Sequence, residues 1–323
     1  MSATAIPVDP NRQLLESARE LIFKGDLRKA AQILNQAQKK IPNDPRVFMA
    51  GGWLAEKAGN LPGAFESMRR SVAIAPDWGP GLLELALLLA RQNQFQEAVE
   101  TAEKVAKLEP QNLQVLASVI DIAHRAGHTE MAIRHLRRGL ELVPGDPQLA
   151  TLLARDLSAH GDHEESIALW GTLIEASPKN PEALMGRVQA LLAAGKASQA
   201  VTDTTALLEI APGNSVVAYY NALAHGQTPS RQPVEMSQNL FDGMAEIYDL
   251  HMVRGLHYQL PKQVGDQILR MYPDKKLNVL DLGCGTGLLG VCLGRLDGFL
   301  IGVDISKKMI EQAATTCTTV STQ

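Results

Sequence analysis

The residues of this 323-residue chain whose types and spacing could do chemistry lie near its C-terminal end: Asp281-Leu-Gly-Cys-Gly-Thr-Gly287, and Asp304, 19 residues after Gly285. Glycines let the backbone come close to a ligand, and an acid that ends a following strand can accept from both hydroxyls of a ribose, so the chemistry is the binding of a nucleotide-like molecule. Two ligands compete for it. Gly285-Thr-Gly287-Leu-Leu-Gly290 satisfies the GxGxxG pattern of a dinucleotide site, with Asp304 close to the spacing expected for NAD. A pyrophosphate is anionic, however, and Asp281 before the turn would face it without a compensating cation. S-adenosylmethionine carries no phosphate and has a cationic amino group and sulfonium, so an acid there suits it.

These residues need a scaffold of strand, turn, helix and strand. Leu277 to Asp281 predicts a short buried strand, the turn leads into a helix through about Leu296, and Phe299 to Val303 predicts a second strand ending at Asp304. Leu256 to Met271 reads as an amphipathic helix before them. The strings VLDLGCGTG and IGVDISKKMI resemble the first two motifs of class I S-adenosylmethionine-dependent methyltransferases, over Leu277 to about Ala314. The resemblance implies S-adenosylmethionine as cofactor. It places Asp281, Gly283, Gly285 and Gly287 around the methionine part and Asp304 on the ribose. Ile305 and Met309 would then lie beside the adenine, with Cys284 and Ser306 nearby. The upstream Phe241-Asp242, Ala245 and Tyr248-Asp249 resemble the lead-in of small-molecule methyltransferases, where it folds over the cofactor, making Tyr248 a candidate lid contact. Methyl transfer from a sulfonium is a direct displacement in which the protein mainly positions its reactants. The sequence assigns no catalytic base.

The rest of the chain is repetitive. Proline recurs at 42, 76, 110, 144, 178 and 212, a step of 34, and Gly25, Gly59, Asn93, Gly127, Gly161 and Gly195 keep the same step. So do Ala30, Ala64, Ala98, Ala132, Ser166 and Ala200. Each unit reads as two helices: Gly or Asn permits the left-handed turn between them, a small residue allows close approach, and Pro cannot continue the second helix. The pattern resembles the tetratricopeptide repeat, with Ser166 departing from the usual Ala. Six units fill residues 11–214 after a tail at 1–10, residues 215–225 predict a capping helix, 226–238 a linker, and 239–323 a partial methyltransferase domain.

In that family the groove is lined by first-helix residues, which here include Arg12, Arg19, Arg46, Trp53, Lys57, Arg91, Asp121, Arg125 and Arg155. The resemblance implies a protein or peptide partner, and the excess of arginine an acidic one.

Composition sets the limits. Acidic residues outnumber basic ones by 35 to 31, so no basic excess calls for nucleic acid. The 4% aromatic content disfavours an all-β sandwich and suits helices. The most apolar stretch, Leu82 to Ala90, is interrupted by Glu84 and far short of a membrane span. Cys284, Cys292 and Cys317 show no paired spacing, which fits a reducing cytoplasm; His160 with His163, and His251 with His257, lack the further ligands a metal needs. Finally, ATTCTTVSTQ near the end is poor helix text with no third strand, so the second domain is expected to be truncated and weak or inactive in catalysis.

The expected architecture is an α-helical tetratricopeptide solenoid followed by an α/β, Rossmann-like class I methyltransferase domain, apparently truncated. The expected function is an S-adenosylmethionine-dependent methyltransferase whose repeats recruit a substrate or partner. A scaffold with a non-catalytic cofactor-binding remnant is the alternative, and an NAD-binding domain the lesser one.

Overall fold

A computed structural model describes residues 9–320. Most of the N-terminal tail and the last three residues of the chain lie outside them. The chain divides into two compact units at Ala194/Gly195, at the break inside the sixth sequence repeat.

The first unit is a run of antiparallel helix pairs: α1 (Arg12–Lys24) with α2 (Leu27–Lys40), α3 (Pro45–Lys57) with α4 (Leu61–Ile74), and α5 (Gly79–Arg91) with α6 (Phe95–Leu108). Then follow α7 (Leu113–Arg125) with α8 (Thr129–Leu142), α9 (Pro147–His160) with α10 (His163–Ala176), and α11 (Pro181–Ala193). Each helix packs on the next, and first helices also touch first helices, as α3 does α5.

The 34-residue period is physical. Gly25, Gly59, Gly127 and Gly161 take positive φ at the break, and Asn93 takes φ 58° in their place. Ala30, Ala64, Ala98, Ala132 and Ser166 are fully buried where helices meet. Ser166 is tolerated because its hydroxyl donates to the Ala154 carbonyl at 2.6 Å and lies 2.8 Å from the Ser158 hydroxyl. A further periodic feature caps the first helices: Asp44, Asn112, Asp146 and Asn180 each accept from a backbone N–H of the first turn. Trp78 holds that position before α5 without a side-chain cap.

The second unit opens with a short 3-10 turn (Ala197–Ala200), α12 (Val201–Ile210) and α13 (Ser215–Ala224). Helix α14 (Val234–Met244) starts inside the stretch read as linker, because Pro233 ends the irregular text and Glu235 favours a first helical turn. A wide π-type turn (Leu250–Gly255) leads to α15 (Leu260–Met271), shorter than expected at its start since Pro261 sits best in a first turn. Then come β1 (Val279–Leu282), α16 (Leu288–Leu293), β2 (Leu300–Val303) and α17 (Lys307–Val320).

Strands β1 and β2 are parallel, Val279 facing Leu300 and Leu282 facing Val303. Alternation puts Leu280, Leu282, Ile301 and Val303 on one face, and all four are exposed. The Thr-rich text is helical through Val320, contrary to the expectation of poor helix. A begun helix propagates cheaply, each Thr costing only several tenths of a kcal/mol, roughly, and Thr315 returns its hydroxyl to the Gln312 carbonyl at 2.6 Å.

Candidate functional site

The glycine turn is held to β2 by its own backbone. Gly283 and Cys284 both donate their N–H to the Val303 carbonyl, at 2.8 and 3.1 Å, while Gly283, Gly285 and Gly287 have φ of 78°, 54° and 83°. Side chains other than glycine rarely adopt those angles, so the sequence spends three glycines to bend the chain back beneath a ligand-sized space.

That space is a cavity of about 480 Å³ lined by Phe241, Tyr248, Gly283, Gly285, Val303, Asp304, Ile305 and Met309. Six of the residues expected from sequence therefore converge on it: Tyr248, Gly283, Gly285, Asp304, Ile305 and Met309. Asp281, Cys284 and Gly287 line a smaller neighbouring cavity of about 210 Å³ with Gly302 and Ile310. Asp281, Gly283, Cys284 and Gly285 also border a third space of about 260 Å³ with Tyr248, Tyr258 and Thr286. Cys284 fills the gap left by Gly302: a Cβ at Gly302 would lie 2.8 Å from its Sγ.

Asp304 accepts from Gly285 N–H at 2.9 Å on one oxygen and from Ser306 N–H at 2.8 Å on the other. A carboxylate has about four lone-pair sites, so two remain for ligand hydroxyls. Burial first, and then the negative charge of Asp304, push the Asp281 carboxyl above its usual range. Such an acid gains when a cation arrives. Tyr248 is likewise raised, by burial and then by Tyr258, Asp249 and Asp304.

Sequence reasoning did not foresee how the lead-in is attached. Thr286 donates its hydroxyl to Asp249, and Ser306 donates its hydroxyl to Asp242. The only sequence signal was two acids seven residues apart in the Phe241-Asp242 and Tyr248-Asp249 pairs. Among the described residues no group of three His, Cys, Asp or Glu could hold a metal ion.

In the first unit, the arginines expected to make the groove positive are largely met by acids. Arg12 pairs with Glu16 at 3.1 Å, Arg91 with Glu56 at 2.8 Å and Arg125 with Asp121 at 2.8 Å. Arg155 pairs with Glu182, and Arg46 with Asp9 and, at 2.8 Å, Asp44. Trp53 donates its indole N–H to Glu84 at 2.8 Å. Several of these acids sit a repeat away, where a scan of one helix does not find them.

Comparisons with known proteins match the repeats and the C-terminal region separately, the repeat match running past the Ala194/Gly195 boundary. The tetratricopeptide repeat family matches residues 15–77 and 151–215, and a second tetratricopeptide repeat family matches 89–155. The methyltransferase domain family matches residues 273–318. The chain is 29% identical over 189 residues to cellulose synthase operon protein C of Xanthomonas axonopodis pv. citri, covering 56% of this chain and 12% of that one. It is 31% identical over 131 residues to a TPR repeat-containing protein of Pseudomonas aeruginosa, covering 40% of this chain and 22% of that one. The chain thus spans less than a quarter of the length of either relative. Among solved structures, Naa15/Naa10 bound to HypK-THB aligns with a TM-score of 0.58 at 14% identity, covering 81% of this chain and 42% of that one. That likeness is one of fold. No helix among the described residues is long and apolar enough to cross a membrane.

Proposed function

Since this chain is a tetratricopeptide-repeat protein that carries part of a methyltransferase domain, we propose that its second unit binds S-adenosylmethionine while its repeats hold a protein or peptide partner. The observation that carries the cofactor reading is the pairing of two acids with distinct environments at one glycine turn. Asp304, already oriented by two backbone N–H groups, suits a ribose; Asp281, raised by burial and by Asp304, suits the cationic amino group. A pyrophosphate beside Asp281 would add negative charge to a place that already disfavours it, which weighs against NAD. The main cavity falls in the size range of ligand pockets, and Ile305 and Met309 give it an apolar wall for a purine.

The cofactor would supply an electrophilic methyl group. The chain's own part is to orient it: the glycine turn lets the backbone approach, Asp304 fixes the ribose, and Tyr248 and Phe241 cover the cavity. On this reading the chain supplies the cofactor-binding part of a methyltransferase in the cytoplasm, with the acceptor brought by the partner and turnover by this chain alone weak or absent. An acidic partner keeps only part of its support, because so many groove arginines already meet internal carboxylates.

A scaffold whose second unit binds cofactor without turnover is favoured by one observation: Leu280, Leu282, Phe299 and Ile301 are exposed beside the site. Calorimetry and turnover separate the readings. S-adenosylmethionine should bind and NAD should not, and Asp304→Ala should weaken binding about a hundredfold by removing two charge-assisted bonds. Binding without methyl transfer to any acceptor co-purified on the repeats selects the scaffold; NAD binding in preference sinks the cofactor assignment.

A further inference from the structure

We propose that Asp242 and Asp249 are positioning residues that latch the lead-in segment across the cofactor cavity, each through one hydroxyl of the motif beneath it. The proposal rests on the cofactor reading above for its function, though the latch itself is a property of the chain alone.

The two bonds reach both halves of the site. Thr286, only 2% exposed, sits between Gly285 and Gly287 and donates to Asp249. A buried hydroxyl left without an acceptor is costly, so this bond is held. Ser306 is fully buried, follows Asp304 and Ile305, and donates to Asp242, which also accepts from Lys308 N–H at 3.3 Å. The same Ser306 oxygen accepts from Met309 N–H at 3.1 Å and so caps the helix that carries Met309 into the cavity. The Ser306 bond holds the Asp242 carboxyl below its usual range.

Phe241 and Tyr248, each next to one of these acids, line the main cavity. The Tyr248 ring lies 3.9 Å from where a Cβ on Gly285 would stand. Neither acid lines that cavity or the two beside it that Asp281 borders, so each acts on the segment and not on the cofactor. Their effect is to order the covering aromatics before the ligand arrives, which removes an ordering cost from binding.

The test uses the full chain with Asp249→Ala, Thr286→Val and the double variant. Without ligand, amide hydrogen exchange across residues 241–258 should rise about tenfold in each single variant while residues 288–293 keep their protection. With S-adenosylmethionine, Kd should rise about tenfold in each, with no further loss in the double variant, because both remove one bond. Asp249→Asn keeps an acceptor for the Thr286 hydroxyl and should restore both readouts. Additive losses would overturn the proposal by making Asp249 a ligand contact. Unchanged exchange in Thr286→Val, or lost protection at 288–293 as well, would overturn it equally. If the unaltered chain binds no S-adenosylmethionine, the cofactor reading fails while the exchange result still decides the latch.

Discussion

The helical repeats and the glycine-turn unit solve opposite problems. In the repeats, Leu88, Leu136 and Leu157 are fully buried, whereas Leu282 in the sheet and Phe299 just before β2 are 73% and 72% exposed. Arginines of the repeats meet acids from neighbouring helices, while Asp281 and Asp304 set like charge near like charge. The repeats thus spend their residues on stability, each unit burying its neighbour's apolar face. Positive-φ glycines serve both, ending first helices in the repeats, but in the second unit three of them crowd one turn beside a raised acid, an arrangement that makes sense for a ligand.

The sharpest way to break this contrast is at a close helix contact. A Cβ on Gly186 would lie 2.4 Å from the Trp170 ring, so Gly186→Ala should destabilise the first unit by about 2 kcal/mol in denaturant unfolding. Cofactor binding in the second unit should be unchanged. A stability like that of the unaltered chain would show that the repeats are looser than the buried Trp170 suggests.

Asp281→Asn tests the other side. The native state holds the Asp281 proton to higher pH than the unfolded chain does, so ionising it subtracts stability as pH rises across that window. Asn removes that cost. Thermal unfolding without ligand should be slightly later, yet S-adenosylmethionine should bind about tenfold more weakly. In the unaltered chain, affinity should fall as pH drops through the raised Asp281 value, since the cationic group wants the carboxylate. Loss of both stability and binding would make Asp281 an ordinary structural acid.

Ser166→Ala is a smaller change, removing the bond to the Ala154 carbonyl and the contact with Ser158. About 0.5 kcal/mol should be lost; a gain would mean that the usual Ala packs better even here.

The smallest expected effect is electrostatic. Asp156, 2.7 Å away, raises the His124 pKa through its hydrogen bond, outweighing burial. A raised histidine contributes stability that is fully present below the unfolded value and is lost as pH rises through the folded one. The pair is partly solvent-screened, so less than about 0.5 kcal/mol is expected, and Asp156→Asn should abolish that pH dependence.

Much of the fold was legible because local rules repeat. Gly25 or Asn93 at the break and Ala30 or Ser166 at the contact state the helix pair directly, and the caps at Asp44, Asn112, Asp146 and Asn180 could have been read at the same step of 34. The glycine turn was legible for the same reason, its conformation being set by residue type. Less was legible where neighbours in space are distant in sequence. The arginine partners Glu56 and Glu182 are 35 and 27 residues from their partners, and a positive groove was inferred because they were not seen. The Thr-rich segment reads as poor helix from propensity and the lack of a core pattern, although a helix once begun by Lys307 carries weak formers along.

The sequence by itself determined the two kinds of structure and the identity of the residues around the turn, since period, glycine conformation and acid placement act over a few residues. Only the tertiary structure decided which side chains share the cavity, which charges are already spent on one another, and that Asp242 and Asp249 reach across 64 and 37 residues to Ser306 and Thr286. Those bonds depend on distances through space, which no pattern along the chain encodes.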